Sequence, residues 1–356
     1  HFGIGGAQTV VKGILTSDKE QDCFAIRSKE NQTTKIENVY FSKSNLKLNV
    51  RTLYEIKELI IKNNYSILHC HLFGAYIFGY ILKRIRFPDF KLVYHEHGRI
   101  FKNKWLYNFF LKHTQNKVDL FIAVSAATKK RLIENVGIPE GKIKILYNFV
   151  DLDNFNPKVL EKYDRNSARA KIGIDKEDFV IGFAGRLVKT KGWEELIKSA
   201  KIISEENLKL KFLIVGNGPD KQKLINLIYK LDLSDKVFYI GFVPDIRFFY
   251  SMIDCFAMPS HWEPSPMIFY EVQALGIPFI CADAISVNEL ARDKENALLF
   301  KPKDEADLVE KIRVVYSDEK IRNCLVECEL KSIKSYSLDT YLEQLHLVYK
   351  DLRGGN

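Results

Sequence analysis

Two glutamates, Glu263 and Glu271, flank a nearly apolar segment in HWEPSPMIFYEVQALG, residues 261–276. Pro264 and Pro266 followed by an apolar run predict a loop that turns into a helix, because proline suits the first helical turn. Glu263 would then lie in the loop, and Glu271 about two turns into the helix. Both would lie near the helix end that presents free N–H groups, which is suited to binding an anion.

A second candidate anion-binding loop lies in GFAGRLVKTKGWEEL, residues 182–196. The pattern predicts a strand ending at Gly185 and a helix after the loop, which leaves Arg186, Lys189 and Lys191 in the connection. Cations at the carboxyl end of a parallel strand suit a diphosphate, since each charge-assisted hydrogen bond contributes about 1.5–3 kcal/mol. A helix dipole contributes only about 0.3–1 kcal/mol. The alternative is three solvated surface cations.

Glycines mark two further candidate ligand loops. Gly5 and Gly6, in HFGIGGAQTVV, open a helix and would let backbone N–H groups approach a phosphate. Gly216, in LIVGNGPDKQKL, allows close approach of backbone or ligand, and the backbone of GFVPD around Val243 could flank a planar base. Simple turn formation is the alternative for each.

Two His-x-His pairs, His69 with His71 and His95 with His97, stand at predicted strand ends. A spacing of two places both rings of a pair on one strand face, so a metal site must be considered. No further cluster completes a ligand set near either pair. We therefore expect no metal, and polar pocket-lining or structural histidines instead.

Composition indicates an ordinary globular protein. With 356 residues, 46% of them hydrophobic and 28% charged, the chain is long for one core, so two domains are expected. No apolar run approaches the ~20 residues that cross a bilayer, and we expect no signal peptide. The six cysteines lack metal-site spacing and predict reduced thiols in a cytoplasmic protein.

Positive charge is concentrated in one stretch of a chain whose net charge is +9. Residues 83–117 carry nine Lys/Arg, two acids and eight aromatic residues. This composition suggests contact with an anionic membrane surface or a polyanionic acceptor. A solvated face over a partly buried helix is the alternative. Nothing resembles a nucleic-acid-binding module, so no nucleic-acid partner is expected.

Strand-like apolar runs alternate with amphipathic segments along the whole chain. Continuous apolarity is typical of strands buried on both faces of a parallel sheet, and the amphipathic segments would form the crossover helices. This alternation of strand-like and helix-like segments stops at Asp151–Ser167, a polar and irregular stretch. The pattern therefore predicts an α/β protein of two doubly wound domains. No strand precedes the loop at Gly5, so we expect the first strand of the first domain to be missing.

Seven motifs, taken in order, resemble the retaining glycosyltransferases of the GT-B fold, specifically glycosyltransferase family 4. They are GGAQTVV, HEHG, ILYNFVDLDNF, GRLVKTKG, VGNGP, GFVPD and EPSPMIFYE. The family's E-x7-E signature is met by Glu263 and Glu271. The resemblance implies two Rossmann-like domains facing each other across a cleft: an acceptor-binding domain at 1–152, a donor-binding domain at 153–335, and a C-terminal helix at 336–356 that returns to the first domain. One departure is Phe149, where the family commonly has glycine.

The resemblance also assigns roles to the glutamate segment. Glu271 would accept hydrogen bonds from the ribose hydroxyls of the nucleotide. Glu263 would contact hydroxyls of the donor sugar. The backbone N–H groups of Met267 and Ile268 would hold the diphosphate.

Other roles follow from the same resemblance. Arg186 and Lys191 match the cations that bind the diphosphate, and the Gly5–Gly6 loop would cover it from the other domain. His97 matches the histidine near the donor sugar, with His95 as the alternate. Gly216 and Val243 would lie beside the nucleotide.

The family's chemistry implies transfer with retention of anomeric configuration by front-face displacement, without a metal or cofactor. The expected enzyme moves sugar from a UDP-sugar to a glycan or polyprenyl-linked acceptor in surface polysaccharide or lipopolysaccharide synthesis. Its expected location is cytoplasmic, peripheral on the inner face of the plasma membrane. Two alternatives remain open: a transferase with a small soluble acceptor, and a non-catalytic nucleotide-sugar-binding protein.

Overall fold

The chain forms two compact α/β units, one of His1–Phe149 with Leu338–Asn356 and one of Val150–Ser337. The computed structural model describes residues 5–18, 23–25, 39–41, 49–85, 90–98, 104–206, 208–284 and 286–354. Every strand pairing between its named strands is parallel. The predicted α/β class with parallel sheets is therefore confirmed.

The first unit contains a two-stranded sheet, β1-β2, and a four-stranded sheet of order β3-β4-β5-β6. Its strands are β1 Cys23–Ala25, β2 Val39–Phe41, β3 Ile67–His71, β4 Lys91–Glu96, β5 Leu120–Ala123 and β6 Ile143–Ile145. Its helices are α1 Gly6–Ser17, α2 Val50–Asn63, α3 Leu72–Arg84, α4 Lys104–Thr114, α5 Ala126–Arg131 and, from the end of the chain, α14 Leu338–Arg353.

The second unit is built on one six-stranded sheet of order β12-β11-β10-β7-β8-β9. Its strands are β7 Phe179–Ala184, β8 Leu210–Val215, β9 Val237–Gly241, β10 Cys255–Met258, β11 Phe279–Ala282 and β12 Leu298–Phe300. Its helices are α6 Pro157–Leu160, α7 Arg165–Ala170, α8 Trp193–Ser204, α9 Lys221–Lys230, α10 Ile246–Ser251, α11 Met267–Leu275, α12 Glu305–Ser317 and α13 Glu319–Ser332.

The central strands of the second unit are buried as their continuous apolar sequence requires. All residues of β10 and β11 are buried, as are five of the six in β7. Helix α8 buries Leu196, Ala200 and Ile203, which recur at helical spacing and cover one face of the sheet. The strand ends and the loops that follow them are thereby held in fixed positions.

Helix α14 packs in the first unit and covers Phe149, the residue that stands where the family commonly has glycine. Phe149 is buried, and its ring lies 4.6 Å from that of Tyr341 on α14. A Cβ atom at Gly13 of α1 would lie 2.5 Å from the Phe149 ring, so glycine makes room for the larger side chain. None of the described helices combines the length and apolarity needed to span a membrane.

Candidate functional site

The strand order of the second unit creates a crevice at one edge of its sheet. From β7 the chain moves outward through β8 and β9, then returns to place β10 on the other side of β7. The loops after β7 and β10 therefore leave the sheet side by side and diverge, which is where ligands bind in open α/β sheets. The loop after β7 carries the three cations singled out in the sequence, and the loop after β10 carries Glu263.

Lys191 and Glu263 meet across this crevice. The Lys191 ammonium forms an ion pair and hydrogen bond with Oε1 of Glu263. The Glu263 side chain is 8% exposed and that of Lys191 27%, so the pair is largely shielded from water. A carboxylate and a cation are thus held next to each other at the switch point of the sheet.

The two loops are fixed to each other through their backbones. Gly192 has a φ of 70°, and a Cβ atom there would lie 1.9 Å from the Pro259 carbonyl oxygen. Only glycine fits this position. The His261 N–H also donates to the Thr190 carbonyl at 2.9 Å. The Lys191–Glu263 contact therefore rests on a rigid frame.

Gly216 brings the loop after β8 against the loop after β7. Its φ is 135°, and an added Cβ would lie 1.8 Å from the Gly185 carbonyl oxygen. Its N–H donates to the Gly241 carbonyl at 2.8 Å, which joins the loop after β9. At Gly216 the close approach is therefore between two backbone segments, those of the loops after β8 and β7. Val243, two residues beyond Gly241, is half-buried.

Arg186 is less constrained than Lys191. Arg186 and Lys189 are exposed, whereas Leu187 between them is buried. The Leu187 N–H donates to the Asn217 carbonyl at 3.0 Å, which fixes the backbone of the loop. The Arg186 side chain is therefore available to an anion.

Helix α11 begins later than the sequence suggested. Pro266 is the N-cap, with an extended ψ of 121°, and Met267 is the first helical residue. A residue preceding proline avoids the helical region, which disfavours extending the helix back to Ser265. Glu271 therefore lies in the second turn. The N–H groups of Met267 and Ile268 belong to the first turn, where a helix offers no internal acceptor.

Glu271 is held by a partner that the sequence did not reveal. The Tyr250 hydroxyl donates to Oε2 of Glu271 at 2.8 Å. Burial raises the pKa of Glu271 above its ordinary value, and the Tyr250 hydrogen bond offsets part of that rise. Tyr250 lies on α10, directly after the loop that carries Val243. No sequence spacing relates Tyr250 to Glu271, so only the folded structure identifies this contact.

His97 lies in the first unit, immediately after β4. It is half-buried, and its Nε2 lies 3.0 Å from Nδ1 of His71. His95 is 0% exposed, so only His97 of this pair reaches the surface. The intervening Glu96 accepts from the Gly98 N–H at 2.7 Å and fixes the turn after the strand. This contact positions His97.

Two predicted features fall partly outside the described residues. Helix α1 begins at Gly6 with Gly5 as its N-cap, while residues 1–4 are outside, so phosphate binding by this loop stays a prediction. In the stretch 83–117, residues 86–89 and 99–103 are also outside. The remainder includes α4, which exposes Trp105, Leu106 and Phe109.

An Asp-x-Asp sequence, Asp151-Leu152-Asp153, follows the first unit. Oδ1 of Asp151 accepts from the N–H groups of Asp153 and Asn154 at 3.0 and 3.1 Å. Its Oδ2 accepts from the Asn154 side chain at 2.6 Å. Asp151 therefore caps a turn, and the expectation of a metal-free reaction rests on the resemblance alone.

The chain matches two family descriptions that together cover most of its length. "Glycosyltransferase Family 4" matches residues 9–154 and "Glycosyl transferases group 1" matches residues 164–328. An uncharacterized glycosyltransferase of Methanocaldococcus jannaschii is 28% identical over 301 residues, covering 81% of this chain and 76% of that protein. The UDP-Gal:alpha-D-GlcNAc-diphosphoundecaprenol alpha-1,3-galactosyltransferase of Escherichia coli is 26% identical over 318 residues, covering 85% and 80%.

Solved structures share the fold. The crystal structure of Anabaena HepE in complex with UDP and glucose aligns with a TM-score of 0.84 at 19% identity, covering 99% of this chain and 97% of that one. The lipopolysaccharide outer core galactosyltransferase WaaB aligns with a TM-score of 0.71 at 17% identity, covering 97% and 96%. The chain therefore belongs to the family-4 glycosyltransferases and has the GT-B fold.

Proposed function

We propose that this glycosyltransferase moves a sugar from a UDP-sugar to a lipid-linked glycan acceptor, with retention of anomeric configuration. The observation that carries the proposal is the Lys191–Glu263 pair at the switch point of the donor-side sheet. A nucleotide sugar places an anionic diphosphate directly beside a hydroxyl-rich ring. An adjacent cation and carboxylate match these two parts, the cation for the phosphate and the carboxylate for the hydroxyls.

In the proposed complex the donor replaces the ion pair. Lys191 turns to the diphosphate together with Arg186 and the N–H groups of Met267 and Ile268, while Glu263 accepts from sugar hydroxyls. Negative charge develops on the diphosphate as the glycosidic bond breaks, so fixed positive groups at this point lower the barrier. These groups meet that charge without requiring a metal.

Glu271 anchors the nucleotide in this proposal. Its carboxylate, held by Tyr250, would accept from the ribose hydroxyls, and the backbone near Val243 would flank the base. UDP is the proposed nucleotide because the Escherichia coli relative is named for UDP-Gal and the HepE crystals contain UDP. The role of His97, which lies in the first unit, stays a prediction of the family resemblance.

The names of relatives support the proposed acceptor, and surface charge supports the proposed location. The Escherichia coli relative is named for a diphosphoundecaprenol acceptor, and a Staphylococcus aureus relative is named for capsular polysaccharide biosynthesis. Trp105, Leu106 and Phe109 are 69%, 46% and 57% exposed on α4, within the basic stretch 83–117. Aromatic side chains beside surplus positive charge suit an anionic membrane surface. We therefore propose docking of the protein on the cytoplasmic leaflet, where such acceptors are held.

The donor site is tested by calorimetric titration of UDP, GDP and ADP into the parent chain and Glu271→Ala. We expect UDP to bind best and the variant to lose about 1.5–3 kcal/mol, roughly a 10- to 150-fold weaker Kd. Glu161→Ala, an exposed glutamate of the same unit, is the control and should bind as the parent does. Equal affinity in both variants would contradict the assignment of Glu271.

The reaction is tested with a UDP-sugar panel and a lipid-linked acceptor, following the anomeric configuration of the product by NMR. A product of inverted configuration would overturn the retaining mechanism. Transfer to water or to soluble sugars alone would favour the small-acceptor alternative. UDP binding without any transfer or donor hydrolysis would favour a non-catalytic binding protein.

A further inference from the structure

Four histidines of the first unit form one cluster, which neither His-x-His pair reveals by itself. Strands β3 and β4 are adjacent and parallel, with His71 in register with His95. Because alternate residues of a strand share a face, His69, His71, His95 and His97 all project from the same side. The ring centroids of His71 and His95 are 5.0 Å apart, and those of His69 and His95 5.3 Å.

Hydrogen bonds at one nitrogen leave the other nitrogen available on two of these rings. Nδ1 of His69 lies 2.6 Å from the Tyr349 hydroxyl, and Nδ1 of His71 lies 3.0 Å from Nε2 of His97. In metal sites a ligating histidine commonly donates its second N–H to such a partner, which fixes the tautomer and the ring orientation. Tyr349 and His97 occupy that position here.

Three other ring nitrogens of the cluster lack hydrogen-bond partners in the part of the chain that the structure describes. Within the described ranges, Nε2 of His69 and both ring nitrogens of His95 are buried without a hydrogen-bond partner. A buried polar atom without a hydrogen bond is unfavourable, and a bound ion would remove that cost. His69, His71 and His95 each offer one nitrogen, and these three atoms lie within 4.8 Å of one another.

The chemical type of the ligand atoms suits a transition-metal cation. Neutral imidazole is a ligand for Zn²⁺, Cu²⁺, Ni²⁺ and Fe²⁺, and hard cations such as Mg²⁺ prefer oxygen.

We propose that His69, His71 and His95 form a binding site for one Zn²⁺ ion. Zinc–nitrogen bonds of about 2.1 Å in a tetrahedral arrangement bring ligand atoms to about 3.4 Å from each other, so the rings must close in from their present spacing. Rotation about the last side-chain torsion provides this movement. Three protein ligands leave the fourth position for water.

The ion would also hold His97 through His71, and so stabilise the end of β4. The inference does not depend on the proposed donor chemistry, whose cations lie in the other unit. The sequence alone led us to expect no metal, because each histidine pair considered separately lacks a third ligand. Strand pairing supplies that ligand.

The test uses the full chain without an affinity tag, stripped with a chelator and titrated with ZnCl₂ by calorimetry. We expect one Zn²⁺ per chain. His71→Ala should weaken binding by tenfold or more, since loss of even a supporting partner weakens metal binding roughly 10–100-fold. His113→Ala, which removes an exposed histidine of α4, should leave affinity unchanged. Equal affinity in the two variants would place the ion elsewhere and overturn the proposal.

Two further measurements decide the matter if His71→Ala fails to fold. Tyr349→Phe keeps the ring and its packing, and it should lower zinc affinity about tenfold through His69 alone. Cobalt(II) added to the stripped parent should give the intense visible absorption of tetrahedral coordination. A parent chain that binds no zinc, or a cobalt spectrum of octahedral type, would refute the site. UDP titration of the same samples separates this result from the donor-site proposal.

Discussion

Glu271 illustrates how one residue's environment sets its chemistry. In the proposed complex the ionised carboxylate would accept from the ribose hydroxyls through both oxygens, yet burial raises the pKa of Glu271. The Tyr250 hydroxyl, 2.8 Å from Oε2, favours the ionised form and so opposes the effect of burial. Tyr250 therefore acts as a positioning residue for the proposed nucleotide anchor, although it would touch no substrate.

Tyr250→Phe should weaken UDP binding and shift its pH dependence. Loss of one hydrogen bond costs about 0.5–1.5 kcal/mol, or roughly 2- to 13-fold in Kd. As pH falls through the pKa of Glu271, the carboxyl protonates and affinity drops. Since the variant raises that pKa further, its affinity should drop at a higher pH than the parent's. Calorimetry across a pH series measures both effects.

Two controls isolate this contribution. Glu271→Gln removes the titrating group, so its UDP affinity should show only the pH dependence of UDP itself. Tyr229→Phe changes an exposed tyrosine of the same unit, 70% accessible, and should behave as the parent does. Coincident pH profiles for the parent and Tyr250→Phe would show that Tyr250 does not act through Glu271.

At the scale of an element, helix α13 carries an unusual buried acid. Glu329 is 0% exposed, and neither carboxyl oxygen has a hydrogen-bond partner among the described residues. Burial raises its pKa well above the ordinary value. The folded state therefore retains a proton that the unfolded chain releases above about pH 4.3. The free energy of unfolding should therefore fall as pH rises from about 4.3 towards the pKa of Glu329 in the folded state.

Glu329→Met, which keeps the approximate shape and removes the polar atoms, should stabilise the protein at pH 7. The expected gain in free energy of unfolding is about 1–3 kcal/mol, the cost of an unsatisfied buried polar group. Protonating Glu329 on folding adds to this gain at pH 7, and that added part should disappear below about pH 4, where both states are protonated, while the part from the unsatisfied atoms persists. Urea titrations at several pH values measure it. Glu327 is exposed on the same helix, and Glu327→Met should change stability little at any pH. A Glu329→Met variant that is less stable than the parent would show that Glu329 has a structural partner.

At the scale of the whole molecule, the sequence predicts the fold class better than the site. Apolar runs such as that of β7 reveal buried parallel strands, because only a sheet covered on both faces tolerates them. Which strand returns beside β7 is a matter of topology, so the contact between Lys191 and Glu263 could not be foreseen. The register between β3 and β4 likewise determines that His71 lies beside His95. The roles assigned to the donor-site residues remain predictions.

Charge and apolar exposure together predict how the whole protein meets a membrane. The chain carries a net charge of +9, and α4 exposes Trp105 and Phe109 one helical turn apart. We expect sedimentation with vesicles containing anionic lipid, and weaker binding at high salt because the screening length falls from about 10 Å at 0.1 M to about 3 Å at 1 M. Trp105→Ala with Phe109→Ala should lower vesicle affinity about tenfold or more, since each substitution removes an aromatic side chain that would be buried at the membrane surface.

The matched control for this surface lies on the other unit. Ile202→Ala with Tyr229→Ala removes two exposed apolar side chains, 41% and 70% accessible, and should leave vesicle binding unchanged. Neutral vesicles distinguish the electrostatic part from the apolar part, since binding to them should be weak in every variant. Unchanged binding of the α4 variant would exclude this helix as the docking surface. Absence of parent binding to anionic vesicles would favour a soluble acceptor, because an enzyme that acts on a lipid-linked sugar must reach the bilayer that holds it.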